Sequence, residues 1–310
     1  MNKPEANRDT ASRSRREGER GQVLVILALF MIALLAVVAL VFDGGNMYLQ
    51  RRRMQNAADA GALAGAVSLA KEEGQPAARN QAQEYARVRN GADSAAVTFG
   101  YRNVTVVACR STAMTFAQVI GLGSTEVCAR ATAAWVPISG VGWLRPIAIE
   151  EFPYEFDVPY TMWDDVEDED PTNPYDIQGA KRGWVDPSCS IPPQTTCGPA
   201  AGASDLAEWM ANGYNGMTYV DSWIRGKSGV AASVIGNAEV GDIIPIVVYD
   251  SISEDGFYHI VTFAAFRITN VDRTGNDKRI TGEFQHYIAP APPGDEDDPD
   301  SGWRTVHLTE

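Results

Sequence analysis

Four cysteines stand among the 310 residues, and Cys197 has the neighbours that covalent chemistry would need. It lies in Gln194-Thr195-Thr196-Cys197-Gly198-Pro199-Ala200, ahead of a helix expected at Asp205–Asn212. His259 and Asp272 follow downstream. A helix N-terminus favours the thiolate, and a nearby histidine can take the proton. Cys189 offers a competing fate. It sits eight positions upstream in a Pro-rich stretch, and a Cys189–Cys197 bridge would consume the nucleophile. The bridge is the preferred reading, so no catalytic residue is assigned. Cys109 and Cys128 fall on two expected strands. If those strands pair, a second bridge is geometrically reasonable.

Other clusters carry weaker signals. Asp164, Asp165 and Glu167–Asp170 form an acidic run without the spaced ligands and turn glycine of a calcium loop. A solvated loop is expected there, with no metal and no cofactor. Trp143, Trp163, Trp184, Trp209 and Trp223 could stack on sugars, although packing is the usual role of such rings.

The charge is split along the chain. Residues 1–139 hold 16 basic and 11 acidic side chains; residues 140–310 hold 10 and 29. The second part offers no basic stripe to neutralise phosphates, so no nucleic-acid partner is expected. Nor does the sequence point to a small-molecule substrate.

These groups must be positioned by elements outside an apolar N-terminal segment. Val23 to Phe42 is twenty apolar residues without a charge. At about 1.5 Å per residue, a helix of that length crosses a hydrocarbon core of roughly 30 Å. The run ends in Phe42-Asp43-Gly44-Gly45 rather than a small-residue cleavage site, which favours an uncleaved anchor. Six basic residues precede the span (Lys3, Arg8, Arg13, Arg15, Arg16, Arg20), and Arg51–Arg53 follow it. That bias predicts a cytoplasmic N-terminus and an extracytoplasmic C-terminal domain in a single-pass cell-membrane protein. Disulfides are permitted on that side.

The expected organisation has four parts: a cytoplasmic tail at 1–20, a module at 21–139 with pilin-like strands, an acidic β-rich ectodomain at 140–290, and a loose tail at 291–310. The fold class is α+β. A transmembrane helix continues into a pilin-like helix, and small β-rich domains follow. Helices are expected over 46–70 and 75–89, with a short one at 114–120. Strands are expected over 103–108, 127–136, 243–249, 258–268 and 280–288. On the first helix Ala58, Gly61, Ala62 and Gly65 form a small-residue patch suited to close helix packing.

Gly21 to Ala66 resembles the N-terminal module of TadE/TadG-like Flp pilus-assembly proteins. The family pattern is a Gly-Gln before the span, Val-x-Asp-Gly-Gly after it, then an Arg-x-x-x-Gln-x-Ala-Ala-Asp-Ala helix. Here these are Gly21-Gln22, Val41 to Gly45, and Arg51 through Gln55 to Ala57-Ala58-Asp59-Ala60. Val104–Ala134 is similar to the family's paired strands around a short helix. Cleaved type IV prepilins usually carry a Glu five residues into the mature chain. Counting from Gln22, that position is Ile26. The resemblance therefore implies an anchored assembly component or minor pseudopilin-like protein of a Flp (Tad) pilus or related secretion system. Its partners would be the lipid bilayer and other pilus-assembly subunits, and it would not be an enzyme. Two alternatives stay open. The order Cys197, His259, Asp272 resembles that of papain-fold (C39-like) cysteine peptidases tethered to a membrane. A surface adhesion or carbohydrate-binding module is the other. Asp250-Ser251-Ile252-Ser253 does not match the Asp-x-Ser-x-Ser metal site of von Willebrand A domains found in some TadG-like proteins.

Overall fold

In the computed structural model, residues 11–121, 123–163, 172–177, 182–192, 196–227, 232–273 and 278–309 are described, with side chains of the first helix from residue 23 onward. The acidic run at 164–170 lies outside them.

Helix α1 runs unbroken from Ala11 to Ala70. Its character changes along its length. Val23–Phe42 exposes apolar side chains on every face, whereas Met54, Ala57, Ala58, Ala62, Ala66 and Ala70 are fully buried. Spacings of three and four put the latter on one stripe, so the same helix is a membrane-type rod first and an amphipathic element second. Glu72 and Gly74, both at positive φ, turn the chain, and Pro76 opens α2 (Gln75–Gln83). The helix continues through a π-type stretch, Glu84–Arg89, as expected for 75–89. The tail expected at 1–20 falls partly outside the described residues; from Ala11 the chain is helical.

An antiparallel meander follows: β1 (Ser94–Phe99), β2 (Asn103–Ala113) and β3 (Ser124–Pro137). A 3-10 turn, Ala117–Ile120, stands in the β2–β3 connection. Val97, Val104, Val106, Ala108, Ala129, Ala131 and Ala133 form the buried face, packed on α1 and α2. Alternation along each strand produces this face, and alanines on both partners let the helix lie close.

The second unit contains β4 (Gly140–Val141), β5 (Ile147–Glu150), β6 (Pro159–Trp163) and β7 (Arg182–Ile191). Next come α3 (Ala203–Asn212), β8 (Thr218–Tyr219), β9 (Trp223–Lys227) and α4 (Ala232–Ile235). It ends with β10 (Ile243–Ile252), β11 (Phe257–Asp272) and β12 (Arg279–Phe284), after which β13 (Tyr287–Ile288) returns to the edge of the first sheet. Its main sheet has the order β10-β5-β7-β9-β11-β12-β6, and β10 also pairs with β11. The extra pairing closes five strands, β5, β7, β9, β11 and β10, into a ring. Alternate residues feed two cores. One gathers Ile149, Ile246, Phe266 and Phe284 with Leu206 and Met210 of α3; the other gathers Val185, Ile224, Val247, Ile260 and Phe263.

The C-terminus departs from expectation. Residues 291–310 are not a loose tail, because β14 (Trp303–Leu308) joins the first sheet as the antiparallel neighbour of β3. Arg304 on this strand is buried. It donates to the Asp300 carboxylate, to Glu72 at 2.9 Å and to the carbonyl of Ala70, and lies over the Trp135 ring at 4.3 Å. The Pro/Asp composition before it encodes turns, and the free edge of β3 supplies the partner that a six-residue run cannot advertise. Mixed α+β architecture, with the long helix first and β-rich structure after it, is the fold of this chain.

Candidate functional site

The junction where α1 meets the first sheet gathers the motif residues. Arg51, Gln55 and Asp59 are four apart and share one helix face. β14 covers the edge of β3 only from Ala133 to Pro137. Beyond it, Thr309 donates its amide to the Thr132 carbonyl at 2.8 Å, Gln55 donates to the Arg130 carbonyl at 3.2 Å, and Arg51 donates to that of Cys128. Alternate carbonyls along a strand point to the same edge, so α1 side chains continue the ladder where the neighbouring strand stops. Asp59 accepts from the Gln55 amide at 2.8 Å and fixes it. Chemically, the Arg-x-x-x-Gln-x-x-x-Asp pattern is a clamp between helix and sheet.

Asp43, one residue past the apolar span, is buried. Its carboxylate accepts backbone N–H bonds from Thr115 (2.9 Å), Phe116 (3.0 Å) and Ala117 (2.7 Å). The aspartate of the Val-x-Asp-Gly-Gly pattern thus holds the β2–β3 turn against the helix. Gly44 and Gly45 have open space where a Cβ would stand.

The small-residue patch packs within the chain. A Cβ on Gly61 would meet the Ala82 carbonyl oxygen at 2.9 Å and the Ala86 Cβ at 3.1 Å; one on Gly65 would meet a Val104 methyl at 3.0 Å and the Ala82 Cβ at 3.2 Å. Ala58 and Ala62 are fully buried beside them. A neighbouring stripe, Ala60, Leu63, Ala64 and Val67, faces outward along an open groove shared with Tyr85.

The four cysteines form two bonds, Cys109–Cys128 and Cys189–Cys197. The first joins directly opposed residues of β2 and β3, with Cα atoms 4.1 Å apart. Glu126 stands near it, but sulfurs bonded to each other are not thiolate ligands, so this group does not make a cation site. The second closes a loop that Asp186 organises. Asp186 is fully buried; its carboxylate accepts from the Ala201 amide (3.0 Å), from the amide and hydroxyl of Ser188, and from Arg225 at 3.4 Å. Arg225 and Lys227 donate to the carbonyls of Gly198 and Ala201. Nothing in the sequence singles out Asp186, because, Ser188 apart, its partners come from β9 and from the loop beyond Cys197.

The alternative triad is not assembled. Cys197 is disulfide-bonded, and His259 and Asp272 stand thirteen positions apart on one strand, His259 near its start and Asp272 at its end. The partner of His259 is Asp250, with Nδ1 2.9 Å from its carboxylate. Asp250 also accepts from the Ser251 hydroxyl at 2.7 Å, and this bond foremost, then His259, lowers its pKa. Trp223 packs its ring 5.0 Å from His259.

A cleft of about 450 Å³ lies elsewhere, lined by Trp143, Arg145, Asn212, Met217, Tyr287 and Trp303 among others. Trp143 is exposed and at positive φ; Arg145 reaches Asp242 at 3.4 Å, and burial lowers its pKa.

No curated protein and no solved structure matches this chain. Residues 21–68, the apolar span together with the Asp43 latch, the Arg51–Gln55–Asp59 clamp and the glycine contacts, match the family described as putative Flp pilus-assembly TadE/G-like.

Proposed function

We propose that this chain is a membrane-anchored structural component of a Flp (Tad) pilus-assembly or related secretion system, acting through protein–protein contacts rather than covalent chemistry. The observation that carries this is the coincidence of the family match at 21–68 with one helix that leaves an apolar span and becomes the core helix of a folded sheet. An anchor so built holds an extracytoplasmic domain at the bilayer. The basic residues before Val23 support a cytoplasmic N-terminus. The unit at 140–290 would then be an acidic module facing partner subunits.

Two measurements test this. Protease added to intact spheroplasts should digest residues beyond the span; a protected C-terminal unit would reverse the orientation. Deletion of the gene should abolish or shorten Flp pili by electron microscopy, with rescue by a Cys197→Ala chain. Normal pili in the deletion strain would reject the assembly role.

A further inference from the structure

We propose that the tip of the β2–β3 hairpin is a second membrane contact, inserted into the lipid interface beside the exit of α1. This rests on reading Val23–Phe42 as the membrane anchor.

Three independent observations place it there. First, α1 is continuous, so no flexible linker separates the last apolar turn from the sheet that packs on the same helix. Second, the tip touches the helix at the boundary itself. The Phe116 ring meets Phe42, the last residue of the apolar run, edge-on at 5.6 Å, while Asp43 takes up the amides of residues 115–117. Third, the tip has the chemistry of an interfacial segment. From Ser111 to Thr125 there is no charged side chain, although Arg110 and Glu126 flank it. Val119 is 87% exposed and Phe116 38%. Phe42 also turns its side chain outward, where lipid would surround it.

The Asp43 bonds solve a specific problem. Turn amides brought against a bilayer lose water as a partner, and unpaired they cost free energy. One carboxylate satisfies three of them from the helix side, leaving Phe116 and Val119 to enter the interface, whose depth for such elements is about 5–10 Å. The occupant is lipid acyl chain and headgroup, without preference for anionic lipid, because the tip offers no positive charge.

The test uses the full chain in phosphatidylcholine vesicles. Its native cysteines are bonded, so a nitroxide can be placed at Val119→Cys, with Phe30→Cys as the lipid reference and Val240→Cys as the aqueous one. Oxygen and nickel-EDDA accessibilities are compared. The expected oxygen-to-nickel ratio at Val119 is several-fold above that at Val240 and approaches that at Phe30. Adding Asp43→Ala should return it toward the Val240 value; an unchanged ratio would remove Asp43 from the mechanism. A ratio at Val119 equal to Val240, with Phe30 reading as lipid, overturns the proposal and leaves the anchor standing. Phe30 reading as water overturns the anchor as well. A Val119 label shielded from both reagents means a neighbouring protein covers the tip, which also overturns it.

Discussion

At the scale of single residues, several buried charges meet partners across long sequence distances. Arg304 and His286 both meet Glu72 at the end of α1; His286 Nε2 lies 3.2 Å from a Glu72 carboxylate oxygen. The Phe156 ring lies tilted against the His286 ring, centroids 3.8 Å apart. Burial foremost, then the Arg304 charge, lowers the His286 pKa, against opposing pulls from Glu72, Asp300 and Asp157. An unfolded histidine titrates near 6.5. Below that pH the unfolded chain binds the proton first, so stability is complete above about 6.5 and declines as pH falls toward the depressed native value. Thermal melts of the detergent-solubilised chain should therefore drop between neutral and mildly acidic pH, and His286→Gln should flatten the drop; parallel slopes would exonerate this residue. The cysteines give a second prediction. Cys109 and Cys128 are 19 positions apart, so Cys109→Ser with Cys128→Ser should cost about 3 kcal/mol by chain entropy, read from denaturant midpoints. Cys197 should resist alkylation until the chain is reduced. Rapid labelling beforehand would mean an open thiol.

Elements are where sequence and structure agree most closely, and where the agreement stops for identifiable reasons. The span, the stripe from Met54 to Ala70, the helix over 75–89 and the strongest strands follow from local periodicity. The Asp43 latch does not, because its donors lie more than seventy residues away, in a turn whose backbone amides carry no sequence signature. Ring closure by β10 and β11 is likewise a property of pairing, not of either strand. Among the candidate site residues, the cysteines and small residues stand out by type and spacing. Asp186 does not, since a buried carboxylate looks like any loop aspartate until its donors are known. For the helix patch the expected outcome is directional. Gly61→Leu drives a branched side chain into α2 and should cost about 1–3 kcal/mol, whereas Ala60→Leu on the outward stripe should be nearly neutral. Equal melting shifts for the two variants would mean that the contact of α1 with α2 yields without cost.

For the whole molecule, the C-terminal strand returns to the first sheet. β14 pairs with β3, Gly302 bridges to Ala264 of the second unit, and Arg304 fastens the end of α1. Deleting residues 301–310 removes a buried guanidinium network and leaves a strand edge bare. The truncated chain should become protease-sensitive within β3 and prone to self-association in size-exclusion chromatography. Wild-type resistance in the truncated chain would show that the first sheet is complete without β14.

That closure also dictates an order of events during biosynthesis. The helix that emerges first from the ribosome carries the apolar span and the face on which the strands will pack, yet their sheet lacks its fourth strand until Trp303–Leu308 have been made. Everything from Ser139 to Ser301 is made while that edge stands open. A chain that stops before Ser301 would thus leave the β3 edge unpaired beside α1, open to non-native strand pairing. β14 thus acts as a late seal on a sheet that the first third of the chain begins.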